Sequence, residues 1–148
     1  MINFRCKPFY ELTALQLYAI MALRQEVFVV EQNCPYLDAD GKDLKGWHLM
    51  GYDDDGQLVA YARLLPKGVS YENHASVGRV VTTANIRGQG VGRKLMKNAM
   101  DYVEQLFPGD NIKISAQTYL RGFYESLGFV VSGEEYLEDG IPHFPMVR

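Results

Sequence analysis

Hydrophobic residues recur along the chain with two spacings, and each spacing predicts a different secondary structure. Alternating or β-branched apolar runs bounded by turn residues predict strands. These runs are INFRCKPF (2–9), WHLMGY (47–52), QLVAYARLL (57–65), SVGRVVTT (76–83), IKISA (112–116), FVVSG (129–133) and HFPMV (143–147). The acidic, glycine-ended segment DDDG between the second and third runs predicts that those two strands form a hairpin.

Helical spacing begins after the first strand. The relation of Thr13 to Gln16 is typical of a capping box, which predicts a helix start. Apolar residues then follow three or four positions apart, in a stripe made of Leu15, Ala19, Ala22 and Leu23. The β-branched and aromatic run 27–30 is expected to end this helix or to lie beyond it.

Two more helices are predicted in the second half of the chain. One begins at Val91 and ends before Pro108 and Gly109, with an apolar stripe of Val91, Leu95, Ala99, Tyr102, Val103 and Leu106. The other is a short helix within residues 119–129, and Gly128 is expected to end it in the left-handed conformation. The order of elements is βα, ββ, βαβα, ββ, which predicts an α/β (α+β) fold with a mixed sheet and helices on its faces.

Composition and charge narrow the class of protein. The 148 residues are expected to form one domain, 1–148, with 47% hydrophobic and 22% charged residues. The net charge of -3 gives no general attraction to nucleic acid, and no apolar run approaches the length of a membrane span. The N-terminus lacks the apolar core of a signal peptide, and the two cysteines predict free thiols, so a cytoplasmic location is expected.

Candidate chemistry is concentrated in RGQGVG, residues 87–92, where three glycines lie between a predicted strand and a predicted helix. The first amides of a helix have no internal partner, and the helix dipole adds positive charge there. Glycines allow a phosphate to approach this backbone, so the segment predicts an anion site. It is not a Walker loop, since no Lys-Ser or Lys-Thr follows, and its G-x-G-x-G spacing is not the dinucleotide fingerprint.

The pattern of Arg87, Gly90 and Gly92 resembles Q/R-x-x-G-x-G/A, the pyrophosphate loop of the GNAT N-acetyltransferases. The segment FYESLGF (123–129) is similar to a second motif of that family, and the order of elements is similar over nearly the whole chain. The segments VFVVEQNCPY, GRV and EDGIPH further resemble the ElaA-like branch. The resemblance implies a GNAT fold: a mixed, mostly antiparallel sheet flanked by helices.

The resemblance also implies a cosubstrate, acetyl-CoA, and the residues that would hold it. Main-chain amides of the glycine loop would bind the pyrophosphate, and Arg87 would add charge. Backbone groups of the strand end beside the loop would hold the pantetheine arm and polarise the acyl carbonyl. The expected cosubstrate-binding residues are Val80, Val81, Arg87, Gly88, Gln89, Gly90, Val91, Gly92 and Arg93. No metal is expected, because DADGKD lacks the order and the closing Glu of a calcium loop.

The resemblance implies direct attack of an amine on a thioester. Tyr124 matches the tyrosine that protonates the leaving thiolate in that family. The candidates for the base that deprotonates the amine are Glu31 and His143, with His48 ranked below them. Direct transfer leaves no acyl-enzyme role for Cys34, although that residue is expected near the acceptor.

The acceptor is expected to be a small or peptide amine, approached from residues 31–46 and 135–144. Acidic residues there weakly favour a cationic acceptor, and Asp38, Asp40 and Asp43 could attract it or could form a solvated turn. A non-catalytic acyl-CoA sensor is the alternative function, and a nucleotide-phosphate module is disfavoured by the missing motifs. A homodimer is compatible with the resemblance, while no nucleic acid or membrane partner is expected.

Overall fold

A computed structural model describes residues 1–148 as eight strands and three helices. The strands are β1 Asn3–Pro8, β2 Trp47–Tyr52, β3 Leu58–Leu65, β4 Ala75–Thr82, β5 Ile112–Gln117, β6 Val130–Val131, β7 Tyr136–Glu138 and β8 Ile141–Val147. The helices are α1 Ala14–Arg24, continued by a π-helical segment Gln25–Glu31, then α2 Val91–Leu106 and α3 Arg121–Glu125. None of the helices combines the length and the apolar character that a membrane crossing requires.

All strands belong to one sheet with the order β1-β2-β3-β4-β5-β8-β6, and β7 pairs with β8 outside this path. Only β4 and β5 are parallel; every other pair is antiparallel. The predicted mixed, mostly antiparallel sheet is therefore confirmed. The predicted capping box is also confirmed, since Thr13 Oγ1 accepts from the Gln16 amide and the Gln16 side chain accepts from the Thr13 amide.

The sheet divides where β4 meets β5. These strands pair only at Ala75–Ile112 and Ser76–Lys113. Beyond that point β4 continues beside β3 as far as Thr82, and β5 continues beside β8 as far as Gln117. The two halves of the sheet therefore separate along the strands, and a cleft opens between them.

A β-bulge lies in β4 at the edge of this cleft. Tyr61 pairs with Val81 and Arg63 pairs with Gly78, so Arg79 and Val80 both lie opposite the single residue between those β3 partners. Arg79 has a φ of 50°, a left-handed conformation that is uncommon for a residue with a side chain. Bulges bend a strand and leave backbone groups outside the ladder, and here the unpaired groups lie at the cleft.

Two hydrophobic clusters cover opposite faces of the sheet. On one face α2 buries Val91, Leu95, Met96, Ala99 and Val103 against β3, β4 and β5. On the other face α1 and its extension bury Ile20, Leu23 and Val27 against Met50, Tyr61 and Val81. The two sides follow from the alternation of side chains along each strand.

The stripe predicted for α1 is wrong in part. Leu15 and Ala22 are exposed, and Ile20 and Arg24 are buried instead. Residues 14–23 are apolar around most of the helix, so several stripes satisfy the helical period, and contact with the sheet selects one. The run 27–30 was expected to end this helix or to lie beyond it. The α-helix does end before the run, at Arg24, but the chain continues as a π-helix with i→i+5 hydrogen bonds, such as the Gln32 amide to the Val27 carbonyl (3.0 Å).

The strand β7 was not predicted. Its three residues, Tyr136 to Glu138, are all exposed and carry no apolar alternation. The pair Asp139-Gly140 is the signal that could have located it. Both residues have positive φ, 52° and 76°, and they join Glu138 to Ile141 in a two-residue hairpin.

Candidate active site

Two cavities enter the cleft from different sides. The glycine-loop groove, of about 610 Å³, is bounded by Arg87, the loop glycines and α3. The hairpin pocket is bounded by the β7–β8 hairpin, the segment 32–38 and the bulge of β4. The residues that line both cavities are Phe28, Gln32, Val80, Gln117, Leu120 and Tyr124. The cavities therefore meet inside the split sheet, beside Tyr124.

The glycine loop presents bare backbone to its groove. Gly90 is the N-cap of α2, and no side chain caps the helix there. Gly88 and Gly90 have φ values of 80° and 78°, and a Cβ built on either would have no heavy atom within 4 Å. Positive φ and open space together favour glycine here, and they leave the first amides of α2 free for a ligand.

Most of the predicted cosubstrate-binding residues line this groove. They are Val80, Val81, Arg87, Gly88, Gly90, Val91, Gly92 and Arg93. The Val81 side chain is buried in the core, as expected, so only its backbone can face a ligand. Gln89 does not line the groove, and its side-chain amide donates to the Asn85 carbonyl at 3.5 Å. Gln89 is thus the one predicted cosubstrate-binding residue that the structure does not place in the groove lining.

Arg87 and Glu31 form an ion pair across the mouth of the groove. The guanidinium Nη1 donates to Glu31 Oε1, and Nη2 donates to Glu31 Oε2 and to the Thr82 carbonyl, both at 3.1 Å. The hydrogen bond from Arg87 holds the pKa of the exposed Glu31 carboxyl below its usual value. Glu31 thus lies on the glycine-loop side, and the structure does not bring it into the pocket that contains His143.

Tyr124 lies where the two cavities meet. Its ring packs edge-on against Phe123 and Phe129, with centroid distances of 5.1 and 5.9 Å, and the residue is buried. Burial raises the pKa of its phenol to about 12. The hydroxyl is therefore protonated at neutral pH and can act only as a proton donor there.

The hairpin pocket contains a polar cluster on one face of β5, β7 and β8. His143 pairs with Gln117 on β5 and with Tyr136 on β7, and its ring stacks on that of Tyr136 at 6.1 Å. The His143 Nδ1 lies 2.6 Å from the Ile141 carbonyl, and Nε2 lies 3.5 Å from Glu138 Oε2. Ser115 Oγ bonds the Tyr136 hydroxyl and donates to Glu138 Oε1 at 3.5 Å.

Two contacts join the walls of the cleft. Cys34 Sγ donates to the Asp139 carbonyl at 3.2 Å, which ties the segment 32–38 to the β7–β8 hairpin. The Gln117 side-chain amide donates to Gln32 Oε1 at 3.5 Å, which links β5 to the end of the π-helical segment. Segments distant in sequence therefore enclose the pocket, and Cys34 lies near it as expected.

The three aspartates of the 38–43 segment do not form a solvated turn, and they are not free to attract a cationic acceptor. The fully buried Arg24 donates from Nε to Asp38 Oδ2 and from Nη1 to Asp43 Oδ1, both at 2.6 Å. Its Nη2 also donates to the Asp38 carbonyl at 3.0 Å. Burial alone would raise the pKa of Asp43, but hydrogen bonds from Arg24 and Arg63 outweigh it and hold the pKa below its usual value.

Two more arginines complete this ion-pair network. Arg63 donates to Asp40 Oδ1 and Oδ2, at 2.8 and 3.0 Å, and to Asp43 Oδ1 at 3.0 Å. Arg79, in the bulge, donates from Nε to Asp38 Oδ1 at 2.8 Å. The network balances three aspartates with three arginines and fastens the wall of the hairpin pocket to the sheet. Sequence reasoning missed it, because nothing local to Arg24 or Arg79 identifies an aspartate as its partner.

His48 belongs to this buried structure and does not reach the cleft. Its Nδ1 contacts the Tyr61 hydroxyl at 2.6 Å and its Nε2 contacts the Asp43 carbonyl at 2.9 Å. Burial is the largest influence on its pKa, which lies below the usual value. The site contains no group of three or more His, Cys, Asp or Glu side chains arranged to hold a metal ion.

Comparison with known proteins gives close matches over the full fold. Residues 25–148 match the family model described as "Acetyltransferase (GNAT) domain". Protein ElaA of Escherichia coli K12 is 45% identical over 140 residues, covering 93% of this chain and 90% of ElaA. The crystal structure of E. coli ElaA superposes with a TM-score of 0.93 at 41% identity, covering 100% of this chain and 99% of that one.

An acyl-CoA N-acyltransferase from Pseudomonas aeruginosa is similarly close. Its crystal structure superposes with a TM-score of 0.94 at 46% identity, and the alignment covers 100% of this chain and 99% of that one.

Proposed function

The chain belongs to the GNAT acetyltransferase family, in its ElaA-like branch, and on this basis we propose that it transfers an acetyl group from acetyl-CoA directly to a primary amine. Acyl-CoA is the family's cosubstrate, and the glycine-loop groove suits it. The residues that would hold its phosphates are the amides at the start of α2 and Arg87, because they offer uncapped donors and positive charge. When bound, acetyl-CoA supplies the activated thioester.

The observation that carries this proposal is the meeting of two cavities beside one buried tyrosine. A phosphate-binding groove alone would suit many ligands. A second pocket on the other side of the split sheet gives an amine its own approach to the same point. Such an arrangement brings two reactants together without either one crossing the other's binding site.

The reaction joins the amine nitrogen to the acyl carbon as the carbon–sulfur bond breaks. An ammonium must lose two protons to become an amide, and the departing sulfur must gain one, so one proton is released to water. We assign proton removal to His143, in the hairpin pocket, and proton donation to the Tyr124 hydroxyl. Backbone groups at the Val80 bulge would stabilise negative charge on the acyl oxygen.

Glu31, the other candidate base, suits this role less well. Its carboxylate is engaged by Arg87 and lies in the glycine-loop groove. Arg87 also depresses its pKa, which makes the carboxylate a weaker base.

The test combines binding with turnover. Calorimetric titration measures whether the protein binds acetyl-CoA, and release of free thiol with a panel of primary amines measures transfer. We expect binding together with amine-dependent thiol release. Binding without transfer to any amine would favour the non-catalytic sensor, and a folded protein that does not bind acetyl-CoA would refute both functions.

A further inference from the structure

In the hairpin pocket, His143 Nε2 and Glu138 Oε2 face each other, and both can act as hydrogen-bond acceptors. A carbonyl oxygen only accepts hydrogen bonds, so the 2.6 Å contact to the Ile141 carbonyl requires the proton on His143 Nδ1. In the neutral ring Nε2 then carries a lone pair, and it faces Glu138 Oε2 at 3.5 Å. Imidazole nitrogen and carboxylate oxygen are both acceptors in that state, so nothing in the chain supplies a hydrogen between them.

His143 and Glu138 differ in their exposure to solvent. His143 is only 6% exposed, whereas the Glu138 side chain is 47% exposed. Both line the pocket, so a molecule in the pocket can reach them. Ser115 donates to the other carboxylate oxygen, Oε1, at 3.5 Å, which leaves Oε2 directed toward the histidine.

The remaining charges of the pocket do not satisfy this pair. Asp38 and Arg79 bond each other within the ion-pair network. Asp139, next to Glu138, adds a second carboxylate and no cation. The ionisable groups that line the same cavity as His143 are Cys34, Tyr36, Asp38, Arg79, Tyr124, Glu138 and Asp139, with Tyr136 stacked on its ring. The pocket beyond the network therefore carries uncompensated negative charge.

We propose that the acceptor is a cationic primary amine whose ammonium group is bound by Glu138 and loses a proton to Nε2 of His143. This inference rests on the proposed function and names its substrate class. An ammonium has three donors and no acceptor, which complements two facing acceptors. Proton transfer leaves a lone pair on the amine nitrogen and an imidazolium next to Glu138, so the charge gained by the ring is paired.

The rest of the pocket suits an acceptor with a hydrocarbon segment next to its amine. The apolar lining includes Phe28, Leu37, Ile114 and Ile141. An acceptor with a carboxylate close to the amine would place that group near Glu138 and Asp139, where like charges repel. We therefore expect alkylamines to be better acceptors than amines that carry an adjacent carboxylate.

The first experiment detects binding without turnover. NMR follows the imidazole resonances of the three histidines while the protein is titrated with n-butylammonium or with the neutral n-butanol. The resonance that is missing from the spectrum of His143→Gln is assigned to His143. Glu138→Gln removes the charge, and Glu134→Gln removes a nearby exposed charge that does not line the pocket. We expect butylammonium alone to shift the His143 signal, and its affinity to fall about tenfold or more in Glu138→Gln only.

The second experiment measures acetyl transfer to butylamine by the same proteins. We expect Glu138→Gln to raise KM for the amine and His143→Gln to lower kcat, and we expect both variants to bind acetyl-CoA normally. Equal effects of butanol and butylammonium, or equal behaviour of the Glu138 and Glu134 variants, would overturn the inference. Ammonium binding at His143 without transfer to any amine would uphold the cation site and refute the acetyltransferase function.

Discussion

Replacement of Gly90 by alanine tests whether the glycine loop binds a ligand or is an ordinary turn. Gly90 has a φ of 78° and no neighbouring atom within 4 Å of the new Cβ, so the substitution causes strain but no clash within the protein. A left-handed conformation costs an L-residue about 1–2 kcal/mol. In a domain of this size we expect the melting temperature to fall by roughly 2–4 °C for each kcal/mol.

The effect on acetyl-CoA binding should be larger than the effect on stability. The new methyl group would project into the space where a phosphate must approach the amides of α2. Loss of one hydrogen bond to a charged group costs about 1.5–3 kcal/mol. That cost corresponds to roughly 10- to 150-fold weaker binding, which calorimetric titration can measure directly.

Gly56→Ala is the matched control for this prediction. Gly56 lies in the β2–β3 hairpin with a φ of 76°, and its Cβ would also have no atom within 4 Å. The two variants should therefore lose similar stability, while only the Gly90 variant loses affinity. If both variants bound acetyl-CoA as tightly as the unmodified protein, the loop would be a turn without a phosphate ligand.

Three further substitutions test other parts of the site. Asp43→Asn should lower the free energy of unfolding in urea by about 3 kcal/mol, because the buried Arg24 and Arg63 would lose a carboxylate partner. Asp54→Asn is the control, because Asp54 forms an exposed ion pair whose loss should have little effect. The pKa of Asp43 is depressed in the folded state, so its stabilising contribution is fully present above about pH 4 and is lost as the pH falls through the folded-state pKa. The difference in unfolding free energy between Asp43→Asn and the unmodified protein should therefore shrink in acid, whereas that of Asp54→Asn should stay small. Tyr124→Phe should lower kcat about 10²- to 10⁴-fold. The unfolding free energy should change little, because the Tyr124 hydroxyl makes no hydrogen bond within the chain and the ring contacts with Phe123 and Phe129 remain. An unchanged kcat in a thiol-release assay would show that Tyr124 takes no part in the chemistry. Glu31→Gln should bind acetyl-CoA more tightly at low salt, because it releases Arg87 from its ion pair, and a collapse of kcat in this variant would instead identify Glu31 as the base.

The sequence was informative where function depends on neighbouring residues. The glycine loop combines positive φ, an uncapped helix start and an arginine within a few positions, and these are local properties of the backbone. All six residues of the stripe predicted on α2 pack in or against the core, although the stripe lacked the fully buried Met96. The polar face of α2 is clearly distinct, so only one face can be buried. On α1 that distinction is weak, and the predicted stripe was partly wrong.

The tertiary structure alone decided which charged groups meet. Arg79 contacts Asp38 from 41 residues away, and Cys34 contacts the carbonyl of Asp139 from 105 residues away. Glu138 becomes a candidate only in the folded chain, where β7 brings its carboxylate within 3.5 Å of His143 Nε2 on β8 and of Ser115 Oγ on a third strand. A side chain's sequence neighbours do not determine its distant partners, because those depend on how strands pair and where the sheet divides. The amino-acid sequence therefore determined the glycine loop and the family, whereas folding determined the pocket in which the amine is proposed to bind.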